Sequence, residues 1–248
     1  MKKYFLPIFL TLFFISCTSK TPYTNRSQMI LMSESEELSL GEQSYDETLK
    51  NSKVIKNSFD AKRVKLIGEK IAAVSKKENY NWEFNLVQND AANAFCLPGG
   101  KVVVYTGILN VAKNDDQLAT VISHEIAHAL ARHGAERVSM AKVKAGIGAI
   151  GNVVLSGIGS PYGNVINQAY GLTTQYGVMM PYGRMQENEA DEIGIILMQK
   201  AGYDLNEAIK FWDNMSKDKE KVNEFFSTHP SSENRIENIK SIINKIEG

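Results

Sequence analysis

The stretch TVISHEIAHALARHG, residues 120–134, holds three of the four histidines in the chain, and two of them stand on either side of a glutamate and its neighbours. His124 and His128 are four apart, so on a helix both imidazoles leave the same face, one turn above the other. Imidazoles so placed can hold one Zn²⁺ at roughly 2.0–2.1 Å each. Glu125 follows the first histidine and lies beside the position such a metal leaves open, where it can take a proton from water. A solvated polar face is the ordinary alternative for such residues. It fails on the neighbours: Ile122, Ile126 and Leu130 make this helix largely buried, and buried polar groups need partners.

A catalytic zinc takes three protein ligands and keeps a fourth position open. His133 is expected to face away from the pair, as a helix-end residue interacting with carbonyls. The third ligand is therefore expected from another helix, as a carboxylate. The segment RMQENEADEIG, residues 184–194, offers Glu187, Glu189, Asp191 and Glu192.

Residues 116–133 must form the helix that presents the pair, with Leu118, Val121, Ile122, Ile126 and Leu130 inward. Helices are also predicted over 35–50, 59–77, 186–201 (stopped by Gly202), 205–216 and the closing SENRIENIKSIINKI. WEFNLV (82–87) alternates as a half-buried strand, and KVVVYTG (101–107) reads as a second, entered through the turn PGG. Residues 140–184, glycine-rich and apolar, read as a loosely packed helical pair beside the cleft, with contact to a membrane surface as the second choice. No internal repeat is visible, so one domain after residue 34 is the simplest organisation.

HEIAH followed by ENEAD resembles the zinc metallopeptidases of the M48 family, whose signature is HExxH followed by ExxxD. NAFCLPGGKVVVYTGIL is similar to the family's NAFxxPGG strand, PYGRMQENEADEIG to its PYSR segment with Gly183 in place of serine, and STHPSSENR to its HPxxxxR motif. The resemblance implies an α+β fold: a mainly helical zincin-type metallopeptidase domain with a small β-sheet beside the HExxH helix. It implies zinc-dependent cleavage of internal peptide bonds, with one Zn²⁺ per chain held by His124, His128 and Glu187. Glu125 would be the general base, and Asp191 would orient a ligand histidine. Glu189 is the runner-up ligand. Substrate is expected to lie extended along Asn93, Ala94 and Phe95, adding itself as a strand. His229, in a loop-like THP, is expected to act as an oxyanion donor or as a resting-state zinc contact, against the alternative of an exposed loop histidine. Arg235 is expected as a structural anchor by salt bridge.

The N-terminus points to export. MKKY is a positive n-region and FLPIFLTLFFIS an apolar h-region too short to span a membrane, so residues 1–16 read as a signal peptide. FISC resembles a bacterial lipobox, which would make Cys17 the lipidated first residue of the mature chain; Phe14 stands where leucine is usual. Thr18, rather than Asp, follows it, which leans toward the outer membrane, facing the periplasm. Residues 17–34 are then expected to be the lipidated cysteine and a flexible tether, and 35–248 the peptidase domain. With Cys17 carrying lipid, Cys96 has no disulfide partner and reads as a small buried hydrophobe. Lys plus Arg and Asp plus Glu are 28 each, so nothing in the overall charge asks for nucleic acid. The expected partners are unfolded or misassembled proteins. The rival from another class is a non-catalytic envelope assembly or chaperone-like lipoprotein with a structural zinc.

Overall fold

In the computed structural model, which describes residues 18–152, 183–217, 222–230 and 234–248, the polar start of the chain is not a tether. Strand β1 (Thr18–Lys20) pairs antiparallel with β2 (Ser27–Met29), and the turn between them places Tyr23 and Asn25 at φ of 66° and 55°. The physical reason is an unmet need elsewhere: the hairpin's Thr21, Thr24 and Arg26 donate to Glu189, and Arg26 also to Glu136, both buried acids that require donors. Residues 1–17, with Cys17, and most of the 140–184 stretch lie outside the described residues.

Helix α1 (Glu34–Lys50) starts at Ser33, whose side chain accepts from the Glu36 N–H, and α2 (Phe59–Val74) starts at Ser58 in the same way. Between and after them run β3 (Val54–Ile55), β4 (Glu83–Val87), β5 (Ala94–Leu97) and β6 (Lys101–Tyr105). They form one mixed sheet in the order β3–β4–β6–β5, with β4 and β6 parallel and the other pairs antiparallel. The β5–β6 turn needs Gly99 and Gly100, whose φ values of 85° and 82° suit glycine.

Strand periodicity sorts side chains between two cores. Ala94, Cys96, Val102 and Val104 face the main one, whereas Phe95, Leu97 and Val103 face a smaller one closed by Tyr45 of α1. Cys96 is a free, buried thiol, as the sequence suggests.

Helix α3 (Asp115–Leu130) crosses the main core; Asn114 caps it by accepting from the Gln117 N–H at 2.8 Å. Leu118, Val121, Ile122 and Ile126 are fully buried there, each contributing about 1.5–3 kcal/mol. The helix ends earlier than expected. Arg132 takes a left-handed φ of 55°, and a new helix, α4 (His133–Asn152), begins directly after it.

Helix α5 (Arg184–Ala201) packs along α3 and stops at Gly202, φ 73°. A Cβ on Gly194 would lie 3.2 Å from the backbone nitrogen of His124, so the bare Cα permits that approach. Helices α6 (Asn206–Lys217), α7 (Asn223–Thr228) and α8 (Arg235–Glu247) complete the core with Phe211, Trp212, Phe225, Ile239 and Ile243. The layout is the mainly helical α+β one expected. Among the described residues, no helix is long and apolar enough to cross a membrane.

Candidate metal centre

The two histidines of α3 meet as their spacing requires: His124 Nε2 and His128 Nε2 are 3.1 Å apart. Glu187, in the first turn of α5, completes the group, with one oxygen 3.4 Å from His124 Nε2 and the other 3.3 Å from His128 Nε2. His229 joins from the end of α7, its Nδ1 3.2 Å from Glu187 and its ring stacked on Phe225. One potential ligand atom from each of these four residues lies within 4.8 Å of every other. The exposed-loop alternative for His229 is thereby removed, since the residue is 0 % exposed.

The donor set fits zinc. Three imidazoles and a carboxylate match its nitrogen and oxygen preference, whereas calcium or magnesium would call for oxygen ligands. Electrostatics point the same way. Burial alone would raise the Glu187 pKa, but the surrounding His229, His124 and His128 hold it well below the usual range. Burial pushes His128 down, so this imidazole favours the neutral, ligating form. Burial also opposes charge on His124, yet hydrogen bonds to Asp191 and Glu187 overcome it and raise the value to about 9.

Glu125 sits beside these groups, 1 % exposed, and its Oε1 has no hydrogen-bond partner among the described residues. His229 Nε2 is 3.6 Å away, beyond hydrogen-bond reach. Burial raises the pKa of Glu125, with His229 and His124 partly offsetting it.

Around this centre the carboxylates divide the work. Asp191 Oδ1 lies 3.0 Å from His124 Nδ1, placed to accept a proton from that nitrogen. Arg235 clamps both acids, 2.7 Å from Asp191 and 3.3 Å from Glu187, with its guanidinium 3.3 Å over the Trp212 ring. Glu192 is exposed and takes no part. Glu189, the runner-up ligand, points away: it lies 3.0 Å from His133 Nε2 and accepts from the hairpin.

His133 itself differs from expectation. The left-handed turn at Arg132 swings its ring back until its Nδ1 is 2.8 Å from His128 Nδ1, so it meets the side chain of the pair it was expected to face away from. Helical periodicity carried through residue 133 hid this. Gly183, where serine is usual in the M48 signature, offers no side-chain cap; instead the Gln186 side chain turns back to the Gly183 N–H at 3.3 Å. Asn93, just before the edge strand β5, donates to Glu224 of α7 at 3.1 Å, a contact for which the sequence held no signal.

A buried HExxH helix beside a small mixed sheet, completed by a glutamate from a second helix, defines the class as zinc metalloendopeptidase. The family model for peptidase family M48 matches residues 58–243, and the chain belongs to that family. It is 31% identical over 277 residues to the mitochondrial metalloendopeptidase OMA1 of Saccharomyces cerevisiae, covering 98% of this chain and 75% of the relative. The Schizosaccharomyces pombe protein of the same name is 37% identical over 175 residues, 69% of this chain and 50% of the relative. The beta-barrel assembly-enhancing protease of Escherichia coli K12 is 25% identical over 217 residues, 85% of this chain and 44% of the relative. The chain thus spans three quarters of the budding-yeast relative and about half or less of the other two.

Proposed function

We propose that this chain hydrolyses internal peptide bonds of exported or misassembled envelope proteins, using one zinc ion with Glu125 as general base. The observation that carries the reading is the Glu125 oxygen, buried and without a hydrogen-bond partner, beside the metal-type cluster. Such a group costs on the order of 1–3 kcal/mol, a cost that a purely bracing metal site gives no reason to bear.

His124, His128 and Glu187 are the proposed ligands, with Asp191 orienting His124. When bound, zinc supplies the Lewis acidity that makes water acidic and polarises the scissile carbonyl. Glu125 takes one proton from the attacking water, whose oxygen adds to the carbonyl carbon. The C–N bond then breaks as Glu125 passes that proton to the leaving amine. Its raised pKa suits a base that must hold the proton between the two transfers. His229 serves either as donor to the developing oxyanion or as a resting contact to zinc, and its place between Glu187 and Glu125 is compatible with both. The peptide adds along Asn93, Ala94 and Phe95, at the end of the sheet order, where backbone pairing reads any sequence. The Escherichia coli relative is a protease named for enhancing beta-barrel assembly, which is in keeping with protein substrates of this kind. A lipid on Cys17, following a signal peptide at 1–16, would hold the enzyme at the outer membrane facing the periplasm.

The test pairs the chain from Thr18 onward with its Glu125→Gln variant, measuring zinc content and cleavage of an unfolded protein. Zinc in both with cleavage by wild type alone supports the reading. The second reading, an assembly lipoprotein with a bracing zinc, draws on the fourth buried group, His229, which could close the coordination. Zinc in both and cleavage by neither would favour it.

A further inference from the structure

We propose that His133 and Glu189 are positioning residues through which the N-terminal hairpin orients zinc ligand His128. This rests on the metallopeptidase reading above and extends it to residues that the HExxH and ExxxD signatures do not specify. Glu189 is where the hairpin and the site meet. Its Oε1 accepts from the hydroxyls of Thr21, at 2.7 Å, and Thr24; its Oε2 accepts from Arg26 Nε at 2.6 Å. Arg26 can only donate, so these oxygens act as acceptors, and His133 Nε2, 3.0 Å from Oε2, must present its N–H to them. A neutral His133 then offers a lone pair at Nδ1. That atom faces His128 Nδ1 at 2.8 Å, so His128 donates from Nδ1 and keeps the Nε2 lone pair for the metal.

The chain of donors therefore runs in one direction: His128 Nδ1–H to His133, His133 Nε2–H to Glu189. Its far end belongs to the hairpin, and Arg26 is itself locked by a two-pronged bond to Glu136, at 2.7 and 2.9 Å. His124 is oriented by one carboxylate, Asp191; His128 is oriented by a histidine and a carboxylate in series. The geometry also explains why Glu189 cannot replace Glu187, since its oxygens are already engaged by four donors.

The experiment measures zinc affinity of the full chain by competition with a chromogenic chelator, for wild type, His133→Phe, His133→Gln, Glu189→Gln and Arg26→Ala. Glutamine at 133 offers an acceptor toward His128 and a donor toward Glu189, which phenylalanine does not. His133→Phe should weaken binding about 10- to 100-fold, the usual effect of removing a partner of a ligand histidine, with His133→Gln returning to within about threefold of wild type. Arg26→Ala and Glu189→Gln should each weaken it several-fold, while Lys65→Ala, which breaks an exposed ion pair with Glu69 within α2, should not. Nitrogen-15 spectra of the zinc-loaded wild type should place the His133 proton on Nε2. A His133→Phe affinity equal to wild type, or a His133 proton on Nδ1, would overturn the relay. Should His133→Phe fail to fold, the Arg26→Ala and Glu189→Gln affinities decide instead, and wild-type values in both would overturn it. Wild type without zinc affinity would instead overturn the metallopeptidase reading beneath it.

Discussion

Glu125 and Glu187 are both buried glutamates beside the same histidines, yet their surroundings push them in opposite directions. Glu187 is ringed by His229, His124 and His128 and held anionic; Glu125 is raised by burial, with weaker opposition. One is suited to hold a cation and the other to exchange a proton. Glu125→Gln is expected to bind zinc like the wild type and to lose about 10²- to 10⁴-fold in cleavage rate, read as peptide release from an unfolded substrate. Glu187→Ala is expected to lose most zinc affinity and to destabilise the fold, because Arg235 would face the site with Asp191 as its remaining acidic partner. Metal content unchanged in that variant would mean that another group is the third ligand.

Among the elements, the register of α5 against α3 decides whether Glu187 reaches the histidines at all. Gly194→Ala would set a methyl 3.2 Å from the His124 backbone, in the middle of a packed helix pair that has little room to give. Overpacking of this kind costs about 1–3 kcal/mol, and here it should also weaken zinc binding, measurable by thermal melting and chelator competition. At the start of α3, Glu207 accepts from Lys210, Asn114 and Gln117, which together hold its pKa at about 2, against an ordinary 4.5. A depressed folded-state value means stability that is full above the unfolded pKa and lost as pH falls through the folded one. Glu207→Gln should therefore lower Tm by a few degrees at pH 7, and the gap to wild type should close between about pH 4.5 and 2. A gap that stayed constant to pH 2 would mean that the charge of Glu207 contributes nothing.

For the molecule as a whole, the order of residues 18–29 changes how an N-terminal anchor would act. β1 begins at Thr18, immediately after Cys17, so a lipid there would have almost no slack and would hold the peptidase close to the bilayer. Cys17→Ser is expected to move the protein from the membrane to the soluble fraction; a variant still sedimenting with membranes would contradict the anchor. Such an anchor and the proposed orientation of His128 would then meet in one short hairpin, since Arg26, which donates to Glu189, belongs to it.

The local chemistry was legible because it is written in local spacing. A four-residue interval places His124 and His128 on one face, the flanking isoleucines bury that face, and capping residues mark where helices begin. ENEAD could be read as a source of carboxylates, but which of its acids lies against the histidines depends on α5 lying along α3, a contact between residues more than sixty positions apart along the chain. A still longer separation along the chain kept the hairpin hidden. Threonines and an arginine in a polar stretch read as solvated until buried acids from other segments demand them, and nothing within residues 18–33 announces Glu136 or Glu189. His133 shows the limit most plainly. Helical periodicity points it away, and only the left-handed turn at Arg132 brings it back to His128. By itself the sequence determined the HExxH helix, its candidate base and the family; the tertiary structure decided which carboxylate lies against which histidine, because hydrogen bonds between distant segments form only once the core has brought them together.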